Sequence, residues 1–168
     1  YDPYKAKALL REAGVSDLKV KLVLPPPEYA RRGGEIIAQQ LKAIGITVEL
    51  QPVEWAQWLS DVFKGKNYDL TIISHVEPMD LDIYARDDYY FDYHSEAYKA
   101  VMAELAGTTD ETKRLELIGK AQKILADDCV NVFLFLLPKS GVWNAKLRGL
   151  WENAPIPVND LTEVEWKE

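Results

Sequence analysis

Residues 68–98, YDLTIISHVEPMDLDIYARDDYYFDYHSEAY, decide how the rest of the chain is read. The segment opens as a strand, because Leu70, Thr71, Ile72 and Ile73 form a short apolar, β-branched run suited to a buried place in a sheet. From His75 onward the character changes. Glu77, Asp80, Asp82, Asp87, Asp88 and Asp92 are interleaved with Tyr84, Tyr89, Tyr90, Phe91 and Tyr93, Pro78 interrupts any regular element, and neither a helical nor a strand period fits. α/β proteins place ligand sites where an irregular segment leaves a buried strand, since the strand end is rigid and the loop beyond it is free to vary. The segment is expected to be a binding loop.

The flanking sequence supplies the scaffold. Asp2 reads as an N-cap with Pro3 at the first helical position, Ala6, Leu9, Leu10 and Ala13 share one face, and Gly14 provides the left-handed stop. Leu18, Val20, Leu22 and Leu24 alternate along a strand that Pro25, Pro26 and Pro27 end. A helix from about Glu28 or Ala30 to Ile44 carries Ile37, Leu41 and Ile44 at helical spacing, and Ile46, Val48 and Leu50 alternate along a second strand to Val53. Trp55, Trp58, Leu59 and Val62 mark a short helix stopping near Gly65, and helical spacing assigns those tryptophans to packing. After the loop, two helices are expected around Ala97–Leu105 and Leu115–Leu125, joined by a turn with Thr109 or Asp110 as cap and folded back as a helical hairpin. Asn131 to Leu137 reads as a last apolar strand, Lys139 to Leu147 as a possible further one, and the residues from Gly149 as an unpatterned tail. Gly33-Gly34 reads as a flexible helix entrance, and Cys129 as an inert core thiol. This alternation of helix and strand gives an α/β fold in which helices cover a mostly parallel central sheet.

Composition removes several classes of function. The 168 residues, 48% hydrophobic and 28% charged, suffice for one domain with a core. A net charge of -7 argues against nucleic acid and anionic membrane surfaces. One cysteine excludes an internal disulfide framework and any multi-cysteine zinc site. No apolar run approaches the roughly 20 residues needed to span a bilayer. There is no G-x-G-x-x-G, G-x-x-x-x-G-K or C-x-x-C. The chain starts at Tyr1 and not at methionine, so it is expected to be a piece of something longer.

YDPYKAKALLREAG at 1–14, QQLKAIGI at 39–46, TVELQPVEWAQWL at 47–59, GKNYDLTII at 65–73 and TTDETKRLELIGKAQKILADD at 108–128 together resemble the C-terminal lobe of the family 5 extracellular solute-binding proteins of ABC transporters, the dipeptide-, oligopeptide- and nickel-binding type. The resemblance runs in order over essentially the whole chain. It implies a periplasmic-binding-protein-like (type 2) lobe over residues 1–148, with 149–168 a tail returning toward an absent N-terminal lobe. It also implies a small-molecule solute, an oligopeptide or other amine-bearing compound, enclosed between two lobes and delivered to an inner-membrane ABC permease at the periplasmic or extracellular face. No cofactor, no catalysis and no membrane insertion are implied. Relatives follow the equivalent strand with Gly-Trp, an acidic residue and Asp-Pro; here those places hold Ile73-Ser74, Glu77 and Asp80-Leu81, so the acidic position alone is kept.

Candidate ligand-binding residues are therefore His75, Glu77, Asp80, Tyr84 and Trp143. A carboxylate in a closed cleft pairs with a cationic ligand group, and tyrosines add apolar area with a hydrogen-bonding tip. Asp82, Asp87, Asp88 and Asp92 read as solvated, and Tyr90 and Phe91 as residues that pin the loop to the domain. Rival readings are a Glu77/Asp80 acid–base pair, a metal site from His75, His94 and nearby carboxylates, and an interaction or scaffold domain without a small-molecule ligand.

Overall fold

The computed structural model describes residues 1–75, 80–138, 140–153 and 160–167. These fall into two compact units, residues 1–75 with 80–132, and the described residues from Phe133 onward. The first unit opens with α1 (Pro3–Glu12), β1 (Lys19–Leu24), α2 (Glu28–Lys42) and β2 (Thr47–Pro52). It continues with α3, a single α-helical turn at Trp55–Gln57 that widens into π-helix over Trp58–Lys64, and then β3 (Leu70–Thr71). A 3-10 turn at Asp80–Ala85 precedes α4 (Glu96–Gly107) and α5 (Glu111–Asp127).

The caps are the ones the side chains dictate. The carboxylate of Asp2 accepts from the Lys5 N–H at 2.9 Å, the hydroxyl of Ser95 from Tyr98 N–H at 3.3 Å, and Asp110, not Thr109, takes the Lys113 N–H at 2.7 Å. Gly14 and Gly45, both at positive φ, turn the chain after α1 and α2.

The sheet of this unit runs β2-β1-β3 with every pair parallel. Leu22 of β1 stands opposite Leu50 on one side and Leu70 on the other, which makes β1 the central strand. Side chains alternate across a strand, and β1 uses both faces. Leu22 and Leu24 pack with Ala30 and Ile72 beneath α2, whereas Val23 faces the larger core of Val53, Trp58, Val62, Ile83, the loop tyrosines, and the inner faces of α4 and α5. α4 and α5 form the expected hairpin; Val101, Leu105, Leu117, Ala121 and Leu125 fill its seam.

Several expectations are corrected. Gly34 is no flexible entrance: a Cβ there would lie 2.6 Å from Cδ1 and 2.8 Å from Cδ2 of Leu24, so the missing side chain is what lets α2 close on β1. Residues 131–137 form no strand, and Val132, Phe133, Leu134, Phe135, Leu136 and Leu137 are exposed. An apolar run declares a preference for burial without naming the surface that buries it. Cys129 is exposed and sits at φ 52, in the left-handed position that follows the last turn of α5. Its N–H reaches Ala126 O, while the Val130 N–H reaches back to Leu125 O, the pattern that closes a helix C-terminus. Trp58 is 4% exposed but Trp55 is 42% exposed and Leu59 47%, so Trp55, Trp58, Leu59 and Val62 do not share one buried stripe.

In the second unit, β4 (Leu147–Arg148) pairs antiparallel with β5 (Glu165–Trp166). The strand expected over 139–147 is confined to that short β4, and residue 139 itself lies outside the described residues.

Candidate functional site

Three strand ends share one edge of the sheet. Beyond β1 come Pro25–Pro27 and the start of α2, beyond β2 come Val53 and Glu54, and beyond β3 come Ile72 to His75. Parallel strands bring these ends to one side of the sheet. Arg31 of α2 reaches across that edge, its Nη2 lying 3.3 Å from Glu54 Oε1 and 3.5 Å from Val53 O. A groove of about 580 Å³ between α1 and the loops at Val15–Leu18 and Ile44–Ile46 lies at the starts of the strands, the opposite edge, and is not this site.

The exit from β3 is fastened from both sides. The Thr71 hydroxyl donates to Val23 O at 2.8 Å and accepts the Trp58 indole N–H at 3.0 Å, tying β3 to β1 and to the π-helical turn. Two residues beyond Ile72, the Ser74 N–H donates to the Tyr29 hydroxyl of α2 at 3.0 Å. His75 then sets its Nε2 2.6 Å from the Tyr90 hydroxyl, with the two rings stacked at 5.9 Å between centroids and 11° between planes. Phe91 meets the imidazole edge-on at 5.6 Å.

Beneath His75 lies an aromatic floor. Tyr90, 2% exposed, packs edge-on against Trp58 at 5.6 Å and tilted against Phe63 at 5.3 Å, and its carbonyl accepts the Tyr68 hydroxyl at 2.7 Å. Burial, with the neighbouring Tyr89, drives the Tyr90 phenol far above the usual tyrosine pKa. The 3-10 turn buries Ile83 and Tyr84. Tyr84 is 7% exposed, stacks on Phe91 at 4.8 Å and accepts the Asn131 amide N–H at 2.6 Å. Tyr98 donates its hydroxyl proton to Leu81 O at 2.7 Å, holding the turn to α4.

The acids of the segment separate into groups. Asp80 opens the 3-10 turn and is exposed. Asp82 pairs with Arg86 at 2.9 Å. Asp92 pairs with Lys66 at 2.6 Å and Asp87 with Lys99, while His94 lies 3.7 Å from Asp87 and 3.5 Å from Asp92. Hydrogen bonds from Lys99 and from Lys66 hold the Asp87 and Asp92 carboxyls below the usual carboxylate range. Asp82, Asp87 and Asp92 are thus partnered surface acids.

Of the sequence-derived candidates, His75, Asp80 and Tyr84 belong to the first unit, with His75 on the floor, Asp80 exposed and Tyr84 within the floor. Glu77 lies outside the described residues. Trp143 belongs to the second unit and is partly exposed. Among the described residues no group of three or more His, Cys, Asp or Glu is arranged to hold a metal ion, and no helix is long and apolar enough to cross a membrane. Sequence reasoning missed Tyr29 and Tyr68, whose hydroxyls secure the strand exit and the floor; each is separated from its partner by more than any local motif spans.

A parallel three-stranded sheet with helices on both faces gives a lobe of periplasmic-binding-protein type. Solved structures share this fold. The oligopeptide-binding protein AppA from Bacillus subtilis, solved in complex with a nonapeptide, superposes with a TM-score of 0.79 at 19% identity, over 100% of this chain and 38% of that one. The Helicobacter pylori periplasmic binding protein DppA, in complex with the peptide STSA, gives 0.68 at 24% identity, over 77% of this chain and 28% of that one.

Residues 1–97 match the family model described as bacterial extracellular solute-binding proteins, family 5 middle, and the chain belongs to that family. The dipeptide-binding protein of Escherichia coli (strain K12) is 29% identical over 143 residues, 76% of this chain and 27% of that protein. Di/tripeptide-binding protein 2 of Pseudomonas aeruginosa (strain UCBPP-PA14) is 35% identical over 81 residues, 45% of this chain and 15% of that protein. The chain thus spans about a quarter or less of the length of these relatives.

Proposed function

We propose that this chain is part of the substrate-binding component of an ABC importer, capturing a peptide or other amine-bearing solute without chemical change. In this reading residues 1–148 form one jaw of a two-lobed clamp, and 149–168 lead toward the other. Closure around the solute creates the form that an inner-membrane permease accepts, on the periplasmic or extracellular side of that membrane. Family membership supports the reading, as do the peptide-binding names of the relatives.

The observation that carries it is the anchoring of the β3 exit, where Tyr29 and Tyr90 fix Ser74 and His75 at the strand-end edge. His75, Glu77 and Asp80 are the proposed contacts, the acids pairing with a solute amine. Tyr84 backs them from the aromatic floor. Trp143 is a proposed contact of the second unit, to be tested by its own alanine variant. Titration of the isotopically labelled chain with a dipeptide library, followed by NMR, tests the reading. Saturable shifts at His75 and Asp80 with the peptides recovered intact are expected. Cleaved peptide would replace it with an enzyme, binding lost to a chelator with a metal site, and no saturable shift with a scaffold domain.

A further inference from the structure

We infer that Tyr90 is a positioning residue for the candidate site, its hydroxyl donating to His75 Nε2 and holding the imidazole as the Nδ1–H tautomer. The inference follows from counting one proton. Tyr90 is 2% exposed, and among the described residues His75 Nε2, at 2.6 Å, is the hydrogen-bond partner of its hydroxyl. Burial raises the phenol pKa, so that proton stays in place. If His75 Nε2 carried a hydrogen and donated to the phenol oxygen, the buried O–H would have no acceptor among the described residues, an arrangement that costs free energy. The donor is therefore Tyr90, and a neutral imidazole that accepts at Nε2 carries its hydrogen on Nδ1.

Orientation is fixed by the same residue. The 11° stack aligns the imidazole with the phenol plane, Phe91 abuts it at 5.6 Å, and Tyr90 is itself held by the Tyr68 hydroxyl on its carbonyl. Tyr29 immobilises the preceding backbone N–H. The first side chain of the binding segment is thus presented in one rotamer and one tautomer, and positioning of this kind is what gives a site its selectivity. Only the consequence for binding rests on the proposed solute-receptor role; the tautomer does not.

The test uses two-bond proton–nitrogen NMR of the labelled chain at alkaline pH, where imidazole is neutral. The sequence has 2 histidines, so a His94→Gln variant assigns both. Wild type should show His75 as the Nδ1–H form. Tyr90→Phe keeps the ring and the stack but removes the proton, and should raise the Nε2–H population of His75 relative to wild type while circular dichroism stays unchanged. An Nε2–H form in wild type, or a tautomer ratio that Tyr90→Phe leaves unchanged, would overturn the assignment. The same variant should weaken the dissociation constant for the dipeptide library by about 3- to 10-fold, the scale of one hydrogen bond. A tautomer change with unaltered dipeptide affinity overturns the positioning role. Absence of dipeptide binding in wild type instead refutes the receptor reading, and the tautomer measurement then decides the inference by itself.

Discussion

Replacing Gly34 with alanine separates helix propensity from packing, because the two act in opposite directions at this position. Alanine in a helix interior is favoured over glycine by about 1 kcal/mol. Against that, the added Cβ would meet Leu24 Cδ1 at 2.6 Å, Cδ2 at 2.8 Å and Cγ at 3.3 Å, where carbon atoms rest at about 3.5–4.0 Å. Leu24 is buried between the sheet and α2, so the overpacking term is about 1–3 kcal/mol. The net expectation is destabilisation of about 1 kcal/mol. Gly119 of α5 is the matched control: it is exposed, an added methyl there would have nothing within 4 Å, and Gly119→Ala should stabilise by about 1 kcal/mol. Thermal melts should place the two variants roughly 4–8 °C apart. In a Leu24→Ala background the methyl clash disappears, and Gly34→Ala should then stabilise. If Gly34→Ala raises the melting temperature as much as Gly119→Ala does, α2 does not sit on β1 as described and the close-approach argument fails.

Further expectations follow from the same contacts. Thr71→Val removes the acceptor of the Trp58 indole and the donor to Val23 O, and should cost about 1–3 kcal/mol in urea unfolding, whereas loss of a mere surface hydroxyl would cost nothing measurable. Tyr68, Tyr84, Tyr90, Tyr93 and Tyr98 all have phenol pKa values raised above 10.0, chiefly by burial. The folded state therefore holds these protons more tightly, so their contribution is whole below pH 10.0 and is lost as pH climbs beyond it. Ultraviolet titration should show these phenols ionising together with loss of structure. Asp87 and Asp92 lie below 3.8, so their contribution is present above that pH and fades as acid is added; carboxyl NMR titration should find both depressed, and less so in concentrated salt.

Much of the scaffold was legible because it is written in local periods. Alternation over 18–24 and 46–53, the Asp2 and Asp110 caps and the glycine at 14 each state their structure within a few residues. The site was legible in outline only. The sequence located the exit from β3 and the pinning role of Tyr90 and Phe91, but the Tyr90–His75 pair joins positions fifteen apart that no helix or strand period links. An aromatic residue beside a binding segment fits either a floor or a contact, and burial alone separates them, as with Tyr84. Gly34 escaped for a related reason: the role of a missing side chain depends on what faces it, here Leu24. Residues 131–137 misled because hydrophobicity carries no address.

The two-faced character of β1 bears on how the first unit comes apart. Leu22 and Leu24 belong to one core and Val23 to the other, so the two cores meet in three consecutive residues and neither can melt without loosening the strand they share. Local opening should therefore begin at the ends of α1, and the amides of Leu22, Val23 and Leu24 should exchange with deuterium last, at the rate of global unfolding.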